Sequence, residues 1–152
     1  MLVVIISIGN TEIESVSGYF SYLRYVSLQK LIIMYQFSFE KLNVWQKARA
    51  LTKKIYDLTS KFPKEEVFCL TNQLRRASIS ICSNLAEGSS RRSNKEQQHF
   101  YQISYSSLME LYNQLIISKD LGYINTDDLD EIRDDVQHIS ILHTRLRESL
   151  VN

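Results

Sequence analysis

Arg91, Arg92 and Lys95 follow the triplet Gly88-Ser89-Ser90 in the middle of the chain. Three cations within five residues, in a polar stretch that reads as a loop, can reach several phosphates at once, so the chemistry they suggest is nucleic-acid backbone binding. Lys53, Lys54 and Arg75 are secondary candidates for the same role. A different constellation lies just upstream. At 3.6 residues per turn, Gln73, Arg76, Ser80, Asn84 and Glu87 share a wedge of about 60°, beside a core stripe of Leu70, Leu74, Ala77, Ile81 and Leu85. Such a polar stripe either contacts a ligand or RNA, or closes an internal hydrogen-bond network. In the second case Arg76 would pair with a carboxylate such as Glu110, and Asn84 would satisfy backbone groups near the helix end. The internal network is the expectation.

Glu96-Gln-Gln-His99 has the Glu-x-x-His spacing that helical bundles use, in pairs, to hold two metal ions. Its only counterpart is Asp135-Val-Gln-His138, with a shorter acid, and no pair of inward glutamates completes the set. His138 and His143 are five apart and do not share a helix face, so the i, i+4 zinc pattern is missing. The sequence also has no phosphate-binding glycine loop, nucleophile elbow or zinc-finger cysteine spacing. No metal, cofactor, small-molecule substrate or catalytic residue is therefore expected, and the chain reads as a non-enzyme. Cys69 and Cys82 would stand thirteen residues apart on one helix, about 20 Å along its axis, too far for a disulfide. Free thiols and the lack of an export signal point to a reducing cytoplasm.

Positioning these residues requires long helices. One proline, four glycines and 44% hydrophobic content in 152 residues favour an all-α domain large enough for its own core. A first helix is expected from Leu42 to Ser60, with the seam Val44, Ala48, Leu51, Ile55, Leu58 and Phe62. Pro63 breaks it, and a second helix is expected from Glu65 to Glu87, stopped by Gly88. Ile79, Cys82 and Ala86 give that helix a second apolar strip, which suits either a central place in the monomer or contact with another subunit. The third helix should span Asn94 to Leu121, capped by Ser93 or Asn94 and ended by Gly122. Phe100, Ile103, Ser107, Leu111, Leu115 and Ser118 would face inward. The fourth should start near Thr126 and repeat Leu129, Ile132, Val136, Ile139, Leu142, Leu146 and Leu150, with early aspartates and late arginines matching the helix dipole.

Charge is uneven along the chain although the net charge is only +1. From Glu40 to Lys95 there are twelve Lys/Arg against five acids, or +7; from Glu96 onward four against ten, or −6. Three explanations stay open: a basic face for RNA, head-to-tail pairing of protomers, or complementary helices within one bundle.

Leu42-Asn-Val-Trp-Gln-Lys-Ala48, Ile55-Tyr56, Phe62-Pro-Lys64, Leu70-Thr71, the Gln73 to Gly88 run, Arg91 or Arg92, and Ser107-Leu-Met-Glu110-Leu together resemble the 23S rRNA-intervening sequence proteins, over roughly Tyr35 to Leu150. This chain departs from the family pattern at Cys82, where a proline is usual, at Cys69 for a glycine, and at Ser104 and Ser106 for an alanine and a glycine. The resemblance implies an antiparallel, up-down four-helix bundle, typically a ring-shaped homopentamer. Some members are encoded within 23S rRNA genes, and a related group serves as nucleic-acid-binding accessory proteins of diversity-generating retroelements.

Residues 1–33 lie outside that pattern. Leu2-Val-Val-Ile-Ile-Ser-Ile8 is a poor signal peptide and falls far short of the ~20 residues that span a bilayer, so no membrane partner is expected. This extension could be strand-like or loosely helical, and translation is expected to start at Met34, leaving 34–152 as the bundle domain. The function implied is a non-enzymatic accessory protein that binds RNA, or DNA, through Arg91, Arg92 and Lys95. The alternative is a homo-oligomeric protein-interaction scaffold that binds no nucleic acid.

Overall fold

The computed structural model describes residues 6–8, 11–13, 16–33 and 36–151. Met34 and the first half of the apolar N-terminal run lie outside the described residues. The chain divides into two units after Gln36. In the first, β1 (Ile6–Ile8) pairs antiparallel with β2 (Thr11–Ile13) in the register Ile6 opposite Ile13, and α1 (Val16–Ile33) follows. The extension thus contains both strand and helix.

The second unit is helical throughout. A short 3₁₀ turn, Ser38–Lys41, leads into α2 (Asn43–Thr59). Val44, Ala48, Leu51 and Ile55 are buried along its length, Phe62 just beyond it, and Leu58 is half-buried. The 4-3-4 spacing therefore forms one continuous seam, and each large side chain in it contributes about 1.5–3 kcal/mol by leaving water. A second 3₁₀ turn, Lys64–Phe68, precedes α3 (Leu70–Ser90), a three-residue link follows, and α4 (Asn94–Asp120) and α5 (Thr126–Glu148) complete the chain.

Contacts across these helices fix their directions. On α2 and α3, Thr52 bonds the Ser78 carbonyl while Arg75 bonds Thr59. On α3 and α4, Ser80 meets Ser107 and Ser104 bonds the Ile81 carbonyl. On α4 and α5, Ser104 meets His143 and Arg133 bonds Tyr112. In each pair, later positions on one helix meet earlier positions on the next, so α2 to α5 run up, down, up, down. Helix α5 returns against α2, and neither α2 with α4 nor α3 with α5 brings Cα atoms within 8 Å, so the four helices adjoin in cyclic order. Small buried residues, Ala77, Ser78, Ser104, Ser107 and Gly88, line α3 and α4 and let this helix pair approach most closely.

Several boundaries differ from expectation. Helix α3 begins at Leu70 because Cys69, at φ −110° and ψ −113°, breaks the helical backbone after the 3₁₀ turn. Cys69 and Cys82 therefore do not share a helix. Gly88 does not stop α3: it is buried inside it, and the helix runs on to Ser90. A Cβ at Gly88 would lie 2.5 Å from Tyr101 Cε1, so this glycine serves close helix approach instead of termination. On α4 the expected inward residues Ser107, Leu111, Leu115 and Ser118 are buried, and Tyr101, Ser104 and Leu108 join them, whereas Ile103 is exposed and Phe100 half-buried. Gly122 does end α4, at φ +77°, its amide bonded to the Lys119 carbonyl and that of Tyr123 to Ser118. Ser93 caps the start of α4, and Asn125 caps α5 in a reciprocal pair with Asp128.

Candidate nucleic-acid interface

Antiparallel packing turns the lengthwise charge difference into an end-to-end one. The half of the bundle holding residues 37–51, 81–107 and 138–151 carries eight Lys/Arg and four acids, or +4. The half holding 52–80 and 108–137 carries eight and eleven, or −3. The basic end contains the N-termini of α2 and α4 and the C-termini of α3 and α5.

At this end the α3–α4 corner is built by local rules. Arg91 leaves helical geometry at φ −77°, ψ 146°, and the Ser93 hydroxyl accepts the Glu96 amide, so only three residues join the helices. Gln97 Nε2 donates to the Arg91 carbonyl at 2.9 Å and pins the turn. The Arg91 guanidinium pairs with Glu87 one turn back and lies 4.7 Å above the Phe100 ring. The His99 ring stands edge-on to Phe100 at 5.6 Å. Arg91, Lys95, Glu96, His99 and Phe100 line an open cleft of about 410 Å³. Glu96 is engaged by the Ser93 hydroxyl at 2.7 Å, which holds its carboxyl below the usual range. Arg92 and Lys95 are exposed. The free amides at the start of α4 add partial positive charge beside them, as helix N-termini do.

The secondary cations are elsewhere. Lys53, Lys54 and Arg75 belong to the acidic half, so the six candidates do not form one surface. Lys54 Nζ donates to Glu131 and Asp135 of α5, at 2.7 and 2.8 Å, and these bonds raise its pKa. Arg75 Nε donates to Thr59 Oγ1 at 2.9 Å while its guanidinium sits 4.8 Å over Tyr56. Both tie bundle helices together. Lys53 is exposed.

The polar stripe splits into separate groups. Ser80 Oγ meets Ser107 Oγ at 2.9 Å, and Asn84 Nδ2 donates to the Ser80 carbonyl and hydroxyl. Glu87 belongs to the Arg91 corner. Gln73 and Arg76 are exposed, and Glu110 accepts from Gln114 on its own helix, not from Arg76.

Sequence reasoning missed His143, which is fully enclosed with Nε2 3.1 Å from Ser104 Oγ. The signal was present: 129, 132, 136, 139 and 143 continue one seam, which turns to the half-buried Leu142 only by misreading the register. Glu96 and Asp135, the acids of the two Glu/Asp-x-x-His segments, are committed to Ser93 and Lys54 at opposite halves of the bundle. Among the described residues no three His, Cys, Asp or Glu side chains converge to hold a metal ion. Burial pushes the Cys82 thiol up, away from nucleophilic character. No helix among the described residues is long and apolar enough to cross a membrane.

The family model described as 23S rRNA-intervening sequence protein matches residues 40–144. A solved structure described as a protein with unknown function from the S23 ribosomal protein family of Bacteroides thetaiotaomicron VPI-5482 has a similar fold. Its TM-score is 0.64 at 20% identity, over 68% of this chain and 97% of that chain. No curated protein matches the chain.

Proposed function

Because this chain belongs to the 23S rRNA-intervening sequence protein family, we propose that it is a non-enzymatic cytoplasmic protein that binds RNA through the basic end of its bundle. The observation that carries this reading is the α3–α4 corner, where Arg92 and Lys95 are exposed on an end of net charge +4. Each phosphate that such cations neutralise releases counterions, which makes binding fall steeply with salt. Assembly into a homo-oligomer, with five copies as the family implies, belongs to the same proposal. Ile79, Ile116 and Ile117 are exposed apolar residues on α3 and α4 that a neighbouring copy would cover.

Fluorescence anisotropy of the protein titrated with structured RNA at low and moderate salt tests the reading, beside the double reversal Arg92→Glu with Lys95→Glu. Binding to wild type is expected, lost in the double variant, with the oligomer unchanged by light scattering. Exposed apolar residues also favour the second reading, a scaffold without nucleic acid. No binding at low salt selects it, as does a reversal that disturbs only assembly.

A further inference from the structure

Resting on the RNA reading above, we infer that the cleft at the α3–α4 corner takes an unpaired nucleotide, its base stacked on the Arg91–Phe100 pair and its flanking phosphates on Arg92 and Lys95. A site that met only a duplex backbone would need cations and little else, because an A-form helix shows a protein phosphates and 2′-hydroxyls and keeps its base faces covered. This cleft contains more than cations. Its wall includes an aromatic ring with a guanidinium laid over it at 4.7 Å and a second ring, His99, edge-on at 5.6 Å. Guanidinium planes and aromatic rings are the two surfaces on which splayed bases stack.

The platform is held before any ligand arrives. Arg91 is fixed through its side chain by Glu87 and through its carbonyl by Gln97. A guanidinium already ordered loses less freedom on binding than a free one. The opening of about 410 Å³ lies within the size range of small-ligand sites, which is the scale of one nucleotide and far below a helix groove. Of the two nearby carboxylates, Glu87 pairs with Arg91, whereas Glu96 keeps its charge, with one oxygen held by the Ser93 hydroxyl. Exposed Arg92 and Lys95 stay available to the backbone on either side.

The test compares a single-stranded RNA oligonucleotide with a blunt duplex of the same sequence by anisotropy, using wild type, Arg91→Lys and Phe100→Leu. Arg91→Lys keeps the charge and removes the plane; Phe100→Leu keeps apolar bulk and removes the ring. Each is expected to weaken single-strand binding about tenfold, in the lower part of the range for base–aromatic stacking, with the salt slope unchanged since no phosphate contact is lost. Duplex binding should stay within about twofold. Photocrosslinking of a 5-iodouridine-containing single strand to wild type should place the adduct on the peptide holding His99 and Phe100, which needs no variant to fold. RNA binding that is equal for the two forms and indifferent to both variants, or an adduct elsewhere, overturns the cleft and leaves the RNA reading standing. Failure of every RNA to bind at low salt removes both.

Discussion

Removing the titrating ring of His143 should flatten the acid limb of the stability curve. The ring is fully enclosed, and the Ser104 hydroxyl beside it donates its single proton to the Ile81 carbonyl at 2.8 Å. His143 Nε2 must therefore carry the hydrogen and donate to Ser104 Oγ at 3.1 Å, which leaves Nδ1 bare and buried with no partner among the described residues. Protonation would put a second N–H and a full charge there, next to the Tyr105 ring at 5.9 Å. Burial first, and then the charge of Arg147, lower its pKa from 6.5 to about 4. The unfolded chain thus takes up a proton before the folded one does, so stability is lost as pH falls from about 6.5 towards 4. At ~1.36 kcal/mol for each pH unit between those values, the loss is ~2 kcal/mol at pH 5 and ~3 kcal/mol at pH 4. Urea unfolding of wild type and His143→Gln at pH 7, 6 and 5 measures it. Glutamine keeps an amide donor for Ser104 and does not titrate, and the surface carboxylates act equally in both proteins. The stability lost between pH 7 and 5 should be ~2 kcal/mol greater in wild type; parallel curves would refute the buried neutral ring.

Two further outcomes follow from the packing. Gly88→Ala gains up to ~1 kcal/mol of helix propensity but drives a methyl into the buried Tyr101 ring, and overpacking of ~1–3 kcal/mol outweighs it, so the melting temperature should fall by several degrees. Because Phe100 Cβ lies 3.2 Å from the same added methyl, this variant should also weaken single-strand RNA binding. Lys54→Met keeps the aliphatic stem and removes the bridge to Glu131 and Asp135; with both partners partly exposed, the cost in denaturant titrations should stay below ~1 kcal/mol and shrink in 1 M salt. The Lys54 contribution, resting on a raised pKa, is complete below the ordinary lysine value and fades as pH rises through the raised one.

The helices were legible because their signals are local. The α2 seam, the Ser93 cap and the Gly122 stop each depend on a few neighbouring residues, and each stands where the spacing puts it. The role of Gly88 and the inward face of α4 could not be read because each depended on a second helix. Gly88 carries the same sequence signal whether it ends a helix or admits a neighbour, and only Tyr101 decides between them. The preference for Tyr101 and Ser104 over Phe100 and Ile103 on the inward face of α4 is likewise set by α3, whose Ile81 carbonyl accepts the Ser104 hydroxyl. For the candidate site, Arg91, Arg92 and Lys95 were visible as a cluster. The Phe100 and His99 walls were not, because Phe100 reads as core until the register of α4 is known.

The charge pattern separates residues that folding explains from those that it does not. Lys54 and its two α5 carboxylates show that part of the sequence asymmetry is consumed between complementary helices. Much of the remaining end-to-end polarity follows the helix dipoles: Asp127 and Asp128 open α5, Arg145 and Arg147 close it, and Arg91 and Arg92 stand just past the C-terminus of α3. Lys95 runs against this rule. It lies in the first turn of α4, where a cation meets the positive end of the dipole at a cost of about 0.3–1 kcal/mol, and it is exposed. Neither its helix nor a described ion pair accounts for it, whereas an anion bound at that helix start would be favoured by lysine and dipole together. A single Lys95→Glu substitution should therefore raise the melting temperature slightly while weakening RNA binding. A loss of stability together with unchanged binding would assign Lys95 to the fold and remove the strongest residue-level reason for placing phosphate at this corner.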